Sequence, residues 1–129
     1  MSLSSSVMKL LLPKEPAFRR LPLGLGAGIV MNIDFDYQAR TFFGLYENEI
    51  QSHIKRLVQP GMRCFDLGSC AGYYSLVLAK FCNDQVLAVD GSTENVERTR
   101  QNLARNDFPV TVIEGWIAAT DDEDFVSLD

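Results

Sequence analysis

Within the first sixty residues, the spacing of the apolar residues changes at Tyr46. Residues 29–33 form a short apolar run, and a glycine-rich stretch at residues 24–28 precedes it. Because no strand pattern comes before these glycines and no helical pattern follows them, they indicate a turn rather than a nucleotide-binding loop. We therefore predict a β-hairpin in which residues 29–33 form one strand, residues 34–36 the turn and residues 38–43 the return strand.

From Tyr46 onwards, apolar residues recur at intervals of three or four. Tyr46, Ile50, Ile54 and Leu57 would share one face of a helix, with the charged residues off that face. This pattern predicts an amphipathic helix that ends before Pro60.

Strand and helix patterns then alternate along the rest of the chain. Apolar runs at residues 63–67, 85–89 and 110–113 are separated by helical patterns at residues 73–81 and 93–106. This alternation predicts an α/β fold, a Rossmann-like doubly wound parallel sheet that follows the N-terminal β-hairpin and helix. Right-handed crossovers would place the second strand beside the first, and the third strand beyond the second.

Charge is unevenly distributed over the 129 residues, whose formal net charge is −5. Residues 1–63 carry eight Lys or Arg and five Asp or Glu, whereas residues 64–129 carry four and twelve. An acidic half repels phosphate backbones, so we expect no nucleic-acid partner.

The three cysteines and the lengths of the apolar segments indicate in which cellular compartment the protein resides. Cys64, Cys70 and Cys82 match no zinc-binding pattern, and Cys64 and Cys82 lie in apolar runs, which is typical of small buried side chains in a reducing cytoplasm. No apolar stretch approaches the length of a membrane span, and the N-terminus does not resemble a signal peptide. We therefore expect a cytoplasmic protein with no membrane partner and no metal.

A glycine loop follows the first parallel strand, where α/β sheets bind their ligands. Gly68 permits a sharp turn, Gly72 permits close approach at the helix start, and the free N–H groups there attract a carboxylate or phosphate. Asp66, just before the loop, would repel a pyrophosphate but can hold an ammonium group. Asp90, at the end of the second strand, can accept hydrogen bonds from ribose hydroxyls.

Two ligand classes use this architecture, and the glycine spacing separates them. A dinucleotide site has the pattern G-x-G-x-x-G, whereas Gly68 and Gly72 give G-x-x-x-G with an acid ahead. This spacing favours S-adenosylmethionine over NAD, and an NAD-binding oxidoreductase domain is the less favoured alternative.

Residues 65–75 resemble the first motif of class I S-adenosylmethionine-dependent methyltransferases. Tyr73, Tyr74 and Ser75 after the loop, with residues 44–47 upstream, are similar to the FkbM-like branch of that family. Residues 86–90 and the asparagines of residues 102–106 resemble the second motif. The resemblance implies a methyltransferase with S-adenosylmethionine as cofactor and an unknown small-molecule or other methyl acceptor.

The resemblance also implies roles for individual residues. The methionine part of the cofactor would lie near Asp66, Gly68 and Gly72, the ribose near Asp90, and the adenine near Trp116. The complete set of implied cofactor-binding residues is Glu47, Asp66, Gly68, Ser69, Gly72, Tyr73, Tyr74, Ser75, Asp90, Gly91, Ser92, Gly115 and Trp116. No residue is assigned a catalytic role.

The resemblance predicts a domain organisation as well. Residues 1–22 would be a tail and a proline-punctuated arm, and residues 23–129 the N-terminal half of a methyltransferase domain, truncated after the third strand. The family sheet has seven strands, so residues 114–129 would be a loop and the first strand an exposed apolar edge. An exposed apolar edge strand can pair with a strand of another chain. Two further hypotheses are therefore a homo-oligomer and a non-catalytic remnant that pairs through this edge.

Overall fold

The computed structural model describes residues 11–118 and the backbone of residues 125–127. Within it the chain forms two compact units, residues 1–48 and residues 49–129.

The first unit contains an antiparallel strand pair and a helix. Strand β1 (Ala17–Arg20) pairs with β2 (Val30–Ile33), and α1 (Phe35–Phe42) follows directly. Side chains that point inward from β2 and from the loop that precedes it are less than 2% exposed: Leu21, Leu25, Ile29, Met31 and Ile33. The residues before the glycine-rich turn, which we assigned to the arm, thus provide the first strand.

The predicted return strand at residues 38–43 is wrong, because this segment is helical. Asp34 caps α1 by accepting a hydrogen bond from the N–H of Asp36, at 2.9 Å. Phe35 and Phe42 lie two turns apart and their rings meet edge to face, with centroids 5.0 Å apart. A local cap and an aromatic contact at helical spacing therefore stabilise a helix where the hairpin pattern predicted a strand; the helical angles are interrupted once, at Gln38.

The second unit begins with the predicted amphipathic helix, α2 (Asn48–Leu57), whose first residue lies at the boundary between the units. The alternating elements follow as β3 (Cys64–Leu67), α3 (Tyr73–Cys82), β4 (Val86–Asp90), α4 (Thr93–Leu103) and β5 (Val110–Glu114). All three strands are parallel in the order β3-β4-β5, which confirms the predicted α/β fold and strand order.

The register places alternate residues of the three strands on opposite faces of the sheet. Cys64, Val86 and Val110 are aligned, and all three belong to a core cluster with Ala79 and Cys82 of α3. On the other face Phe65 and Leu67 remain 58% and 47% exposed. Within the described residues β3 is an edge strand of this sheet, as predicted.

The segment after β5 differs from the loop that we predicted for residues 114–129. Two short strands, β6 (Trp116–Ala118) and β7 (Phe125–Ser127), pair in parallel. Gly115 joins β5 to β6, and its N–H donates to the carbonyl oxygen of Asp90 at 3.0 Å. This bond ties the start of β6 to the end of β4.

Candidate functional site

The glycine loop lies at the carboxyl ends of the parallel strands, as predicted. The N–H groups of Gly68 and Ser69 both donate to the carbonyl oxygen of Val89, at 2.8 and 3.1 Å. The chain therefore leaves β3 still attached to β4, and the loop begins against the end of its neighbouring strand.

Gly68 and Gly72 have similar backbone angles but different surroundings. Their φ values are +78° and +80°, in the left-handed region that favours glycine. A Cβ atom at position 68 would meet nothing within 4 Å, whereas one at position 72 would lie 2.8 Å from Cγ2 of Thr99. Gly68 thus leaves open space beside the loop, and Gly72 lets the loop approach α4.

Two side chains of α4 hold the carbonyl groups of the loop. The hydroxyl of Thr99 donates to the carbonyl oxygen of Cys70, and the amide of Asn102 donates to that of Ala71, both at 2.8 Å. Thr99 and Asn102 are 0% and 2% exposed. Sequence reasoning missed this role; polar residues on the inward face of a predicted helix were the available signal.

The carboxylate of Asp66 points to the start of α3. Gly72, at the N-cap, has no side chain to cap this helix. Asp66 accepts a hydrogen bond from the hydroxyl of Ser75 at 2.5 Å, and the backbone N–H of Ser75 also bonds to it. Burial raises the pKa of Asp66 above its usual value despite these bonds, and the negative charge of Asp90 adds to the rise.

Asp90 is 8% exposed and accepts three hydrogen bonds. Oδ2 accepts from the N–H of Cys70 at 2.9 Å, and Oδ1 accepts from the N–H of Ser92 at 2.9 Å and from the amide of Asn95 at 3.2 Å. Burial acts to raise the pKa of Asp90, but these donors together outweigh it, so the pKa lies below its usual value. Asp90 is therefore a charged group that joins the loop to the start of α4.

A cavity of about 390 Å³ opens beside these groups at the carboxyl ends of the strands. Its volume falls within the roughly 300–1,000 Å³ of small-molecule sites. Eight residues line it: Leu67, Gly68, Val89, Asp90, Gly91, Gly115, Trp116 and Ile117. Five of them were predicted from the sequence, and the apolar Leu67, Val89 and Ile117 were not.

The indole ring of Trp116 forms one wall of this cavity. A Cβ atom at position 91 would overlap the ring, so the ring lies directly against the backbone of Gly91. Trp116 is nevertheless 60% exposed, which leaves much of the ring open to solvent.

The remaining predicted residues surround the loop without lining the cavity. They are Asp66, Ser69, Gly72, Tyr73, Tyr74, Ser75 and Ser92. Ser92 caps α4, accepting from the N–H of Asn95. The rings of Tyr73 and Tyr74 contact each other, with centroids 5.1 Å apart. Glu47 lies in the first unit, apart in sequence from the rest.

Ser69 differs from the other polar groups of the loop. It is 5% exposed, and its hydroxyl oxygen is buried with no hydrogen-bond partner in the described part of the chain. A buried hydroxyl without a partner is costly and uncommon in folded proteins.

The described residues contain neither a candidate metal-binding cluster nor a membrane-spanning helix. No group of three or more His, Cys, Asp or Glu side chains is arranged to hold a metal ion. No helix in the described ranges has the length and apolar character needed to cross a membrane.

Comparison with known proteins gives one family match and two related proteins. Residues 65–126 match a family described as a methyltransferase domain. The ribosomal protein L11 methyltransferase of Chloroflexus aurantiacus is 40% identical over 68 residues, 51% of this chain and 21% of that protein. The protein of the same name from Thermosipho africanus is 34% identical over 59 residues, 46% of this chain and 23% of that protein.

The chain thus covers only about a fifth of the length of these relatives. The matches and the partial Rossmann-like fold together support a methyltransferase domain in residues 65–126.

Proposed function

We propose that the cavity beside the glycine loop binds S-adenosylmethionine and that the protein is a methyltransferase. The observation that carries this proposal is the carboxylate of Asp90, which lines the cavity and holds the glycine loop through the N–H of Cys70. Asp66 and Asp90 lie close enough for the charge of Asp90 to raise the pKa of Asp66. Two neighbouring acids favour a ligand with positive groups, and S-adenosylmethionine carries both an ammonium and a sulfonium.

The residues of the site fit such a ligand. A carboxylate has about four acceptor positions, and the protein occupies three of them on Asp90, so one is left for a ribose hydroxyl. The hydroxyl of Ser69 has a hydrogen bond to give, and the open side of Gly68 leaves room for a ligand. The exposed ring of Trp116 offers a flat apolar surface on which a purine can stack.

The bound cofactor supplies a methyl group activated by the positive sulfur. The chain itself contributes position and electrostatics: the loop N–H groups at the start of α3 attract a carboxylate, and the two acids attract the positive groups. Thr99 and Asn102 of α4 hold the loop in place by donating hydrogen bonds to its carbonyl oxygens. No residue is proposed as a general base.

Two finer assignments stay predictions. Residues 44–47 and 73–75 suggest the FkbM-like branch, whereas the matched relatives are named ribosomal protein L11 methyltransferases. That name makes a ribosomal protein the first methyl acceptor to test. A cytoplasmic location and an oligomer formed through the edge of β3 also stay predictions.

The alternative of an NAD-binding domain rests on the same strand, loop and helix. The paired acids oppose it, because a pyrophosphate carries negative charge into the place where Asp66 and Asp90 lie. The G-x-x-x-G spacing of the loop opposes it too, because it lacks the central glycine of G-x-G-x-x-G.

Binding can be tested with S-adenosylhomocysteine, the demethylated product, since it needs no acceptor. Trp116 is the single tryptophan of the chain, so its fluorescence reports on this cavity alone. We expect saturable quenching, with matching affinity by calorimetry, and none with NAD.

The Asp90→Ala variant should bind about tenfold more weakly or worse, because a charged acceptor is lost. The matched control is Asp107→Ala, which removes an exposed acid just before β5, at the other end of the sheet. Folded wild-type protein that binds neither S-adenosylmethionine nor S-adenosylhomocysteine would refute the proposal.

A further inference from the structure

A pair of cysteines lies in contact at the opposite end of β3 from the glycine loop. Cys64 is the first residue of β3, and Cys82 is the last residue of α3. Cys82 is fully buried in a cluster with Ala79 and Val86, and Cys64 packs against this cluster. Both side chains therefore belong to one packed cluster at the start of β3 and the end of α3.

Backbone hydrogen bonds hold the two cysteines close together. The N–H of Gly61 donates to the carbonyl oxygen of Cys82 at 2.7 Å, and the N–H of Cys64 donates to that of Gln85 at 3.2 Å. The chain is therefore held by backbone hydrogen bonds next to both cysteines.

Cys64 is also within reach of small solutes. It is half-buried, which leaves part of the residue open to solvent. Cys70, the third cysteine, is exposed in the glycine loop beyond the other end of β3. A four-residue strand spans roughly 10 Å, which keeps Cys70 out of the pair.

We propose that Cys64 and Cys82 form an oxidation-sensitive site, converted by hydrogen peroxide into an intramolecular disulfide. The Cys64 thiolate attacks one oxygen of hydrogen peroxide, the O–O bond breaks and Cys64 becomes a sulfenic acid, while the leaving hydroxide takes up the proton released by the Cys64 thiol and forms the first water. The Cys82 sulfur then attacks the Cys64 sulfur, the S–O bond breaks, and the leaving hydroxide takes up the proton of the Cys82 thiol and forms the second water. Two thiols lose two electrons and two protons, and one hydrogen peroxide is reduced to two molecules of water.

The disulfide would enclose the glycine loop within a covalent ring. Cys64 begins the strand that leads into the loop, and Cys82 ends the helix that follows the loop. A cross-link between them limits the freedom of residues 64–82 in the unfolded chain, so the oxidised protein should unfold at higher temperature. Burial, with the nearby Cys82 thiol, raises the pKa of Cys64, so the first step is slow relative to reactions of the exposed Cys70.

The test uses the full chain with Cys70→Ser, which removes the exposed thiol. Treatment with hydrogen peroxide should lower the intact mass by about 2 Da, corresponding to two hydrogen atoms lost in a disulfide. Non-reducing peptide mapping should find Cys64 joined to Cys82, and dithiothreitol should reverse both results. The unfolding midpoint should rise on oxidation by several degrees and return on reduction.

A matched control carries Cys64→Ser in addition to Cys70→Ser, and this variant should show no loss of mass. Sulfinic or sulfonic acid at Cys64 without a Cys64–Cys82 peptide would overturn the proposal. So would a disulfide between two chains in place of the intramolecular one. The wild-type chain gives a second reading, because a disulfide that maps to Cys70 would also contradict the assignment.

Discussion

Replacing each loop glycine by alanine should separate the scaffold role of Gly72 from the binding role of Gly68. Both residues have left-handed φ, so alanine costs about 1–2 kcal/mol at either position from backbone conformation alone. At Gly68 no atom lies within 4 Å of the added methyl group, and this cost is the whole effect on the free energy of unfolding.

At Gly72 the methyl group also meets Thr99. It would lie 2.8 Å from Cγ2 and 3.2 Å from Oγ1, and Thr99 cannot move away because it is fully buried and bonded to the carbonyl of Cys70. Overpacking of this kind costs about 1–3 kcal/mol. The Gly72→Ala variant should therefore lose about 2–5 kcal/mol in total, a large part of a small domain's stability.

The measurement is chemical denaturation followed by circular dichroism, with both variants and the wild type side by side. A rescue variant, Gly72→Ala with Thr99→Ser, removes the clashing methyl group and keeps the hydroxyl. It should recover about 0.5–3 kcal/mol relative to the sum of the single changes. Equal destabilisation by Gly68→Ala and Gly72→Ala, or no coupling with Thr99→Ser, would refute the packing argument.

The same two variants should rank in the opposite order in ligand binding. A methyl group on Gly68 enters the cavity that this residue lines, whereas one on Gly72 points toward α4. We expect Gly68→Ala to weaken S-adenosylhomocysteine binding more than Gly72→Ala does, when both are compared as folded protein.

Three further predictions concern polar groups around the loop. As pH falls from neutral to about 4, the stability of the wild type relative to Asp66→Asn should rise, because the raised pKa of Asp66 makes the folded state bind a proton before the unfolded state does. Below about pH 4, the stability of the wild type relative to Asp90→Asn should fall, because the lowered pKa of Asp90 makes the unfolded state bind a proton first. Denaturation at several pH values checks both, and slopes of the same sign would contradict the assignment. Thr99→Val should lower the free energy of unfolding by about 1–3 kcal/mol, because it leaves a loop carbonyl without its donor. The control Thr93→Val removes an exposed hydrogen bond on the same helix and should cost clearly less. Equal losses of stability in the two variants would count against the role of Thr99. Ser69→Ala should leave the free energy of unfolding unchanged or raise it, since the variant removes a buried hydroxyl that has no partner, yet it should weaken S-adenosylhomocysteine binding in calorimetry. Unchanged binding would remove Ser69 from the site.

Local patterns were enough to predict the elements of the second unit. The apolar runs and helical spacings of residues 63–113 correspond to β3 through β5, and their order follows from the handedness of the crossovers. Gly68 and Asp90 were expected together because both follow the carboxyl ends of parallel strands, and these ends lie on the same side of the sheet.

The first unit was harder to predict, for a physical reason. A strand needs a partner, and the partner of β2 is β1, which lies before a loop of nine residues instead of after a short turn. Helix α1 is stabilised by a cap and a contact between two phenylalanines, and short apolar segments fit both helical and strand periods.

The sequence by itself determined the strands and helices around the glycine loop, their order and the acids at the strand ends, because these depend on local periodicity and chain direction. Only the tertiary structure decided which neighbour each side chain contacts. It turned Asp66 toward Ser75, placed Thr99 against Gly72, and laid Trp116 on Gly91. Such contacts join residues far apart in the chain, and their distances depend on how the helices pack on the sheet, which no spacing along the sequence encodes.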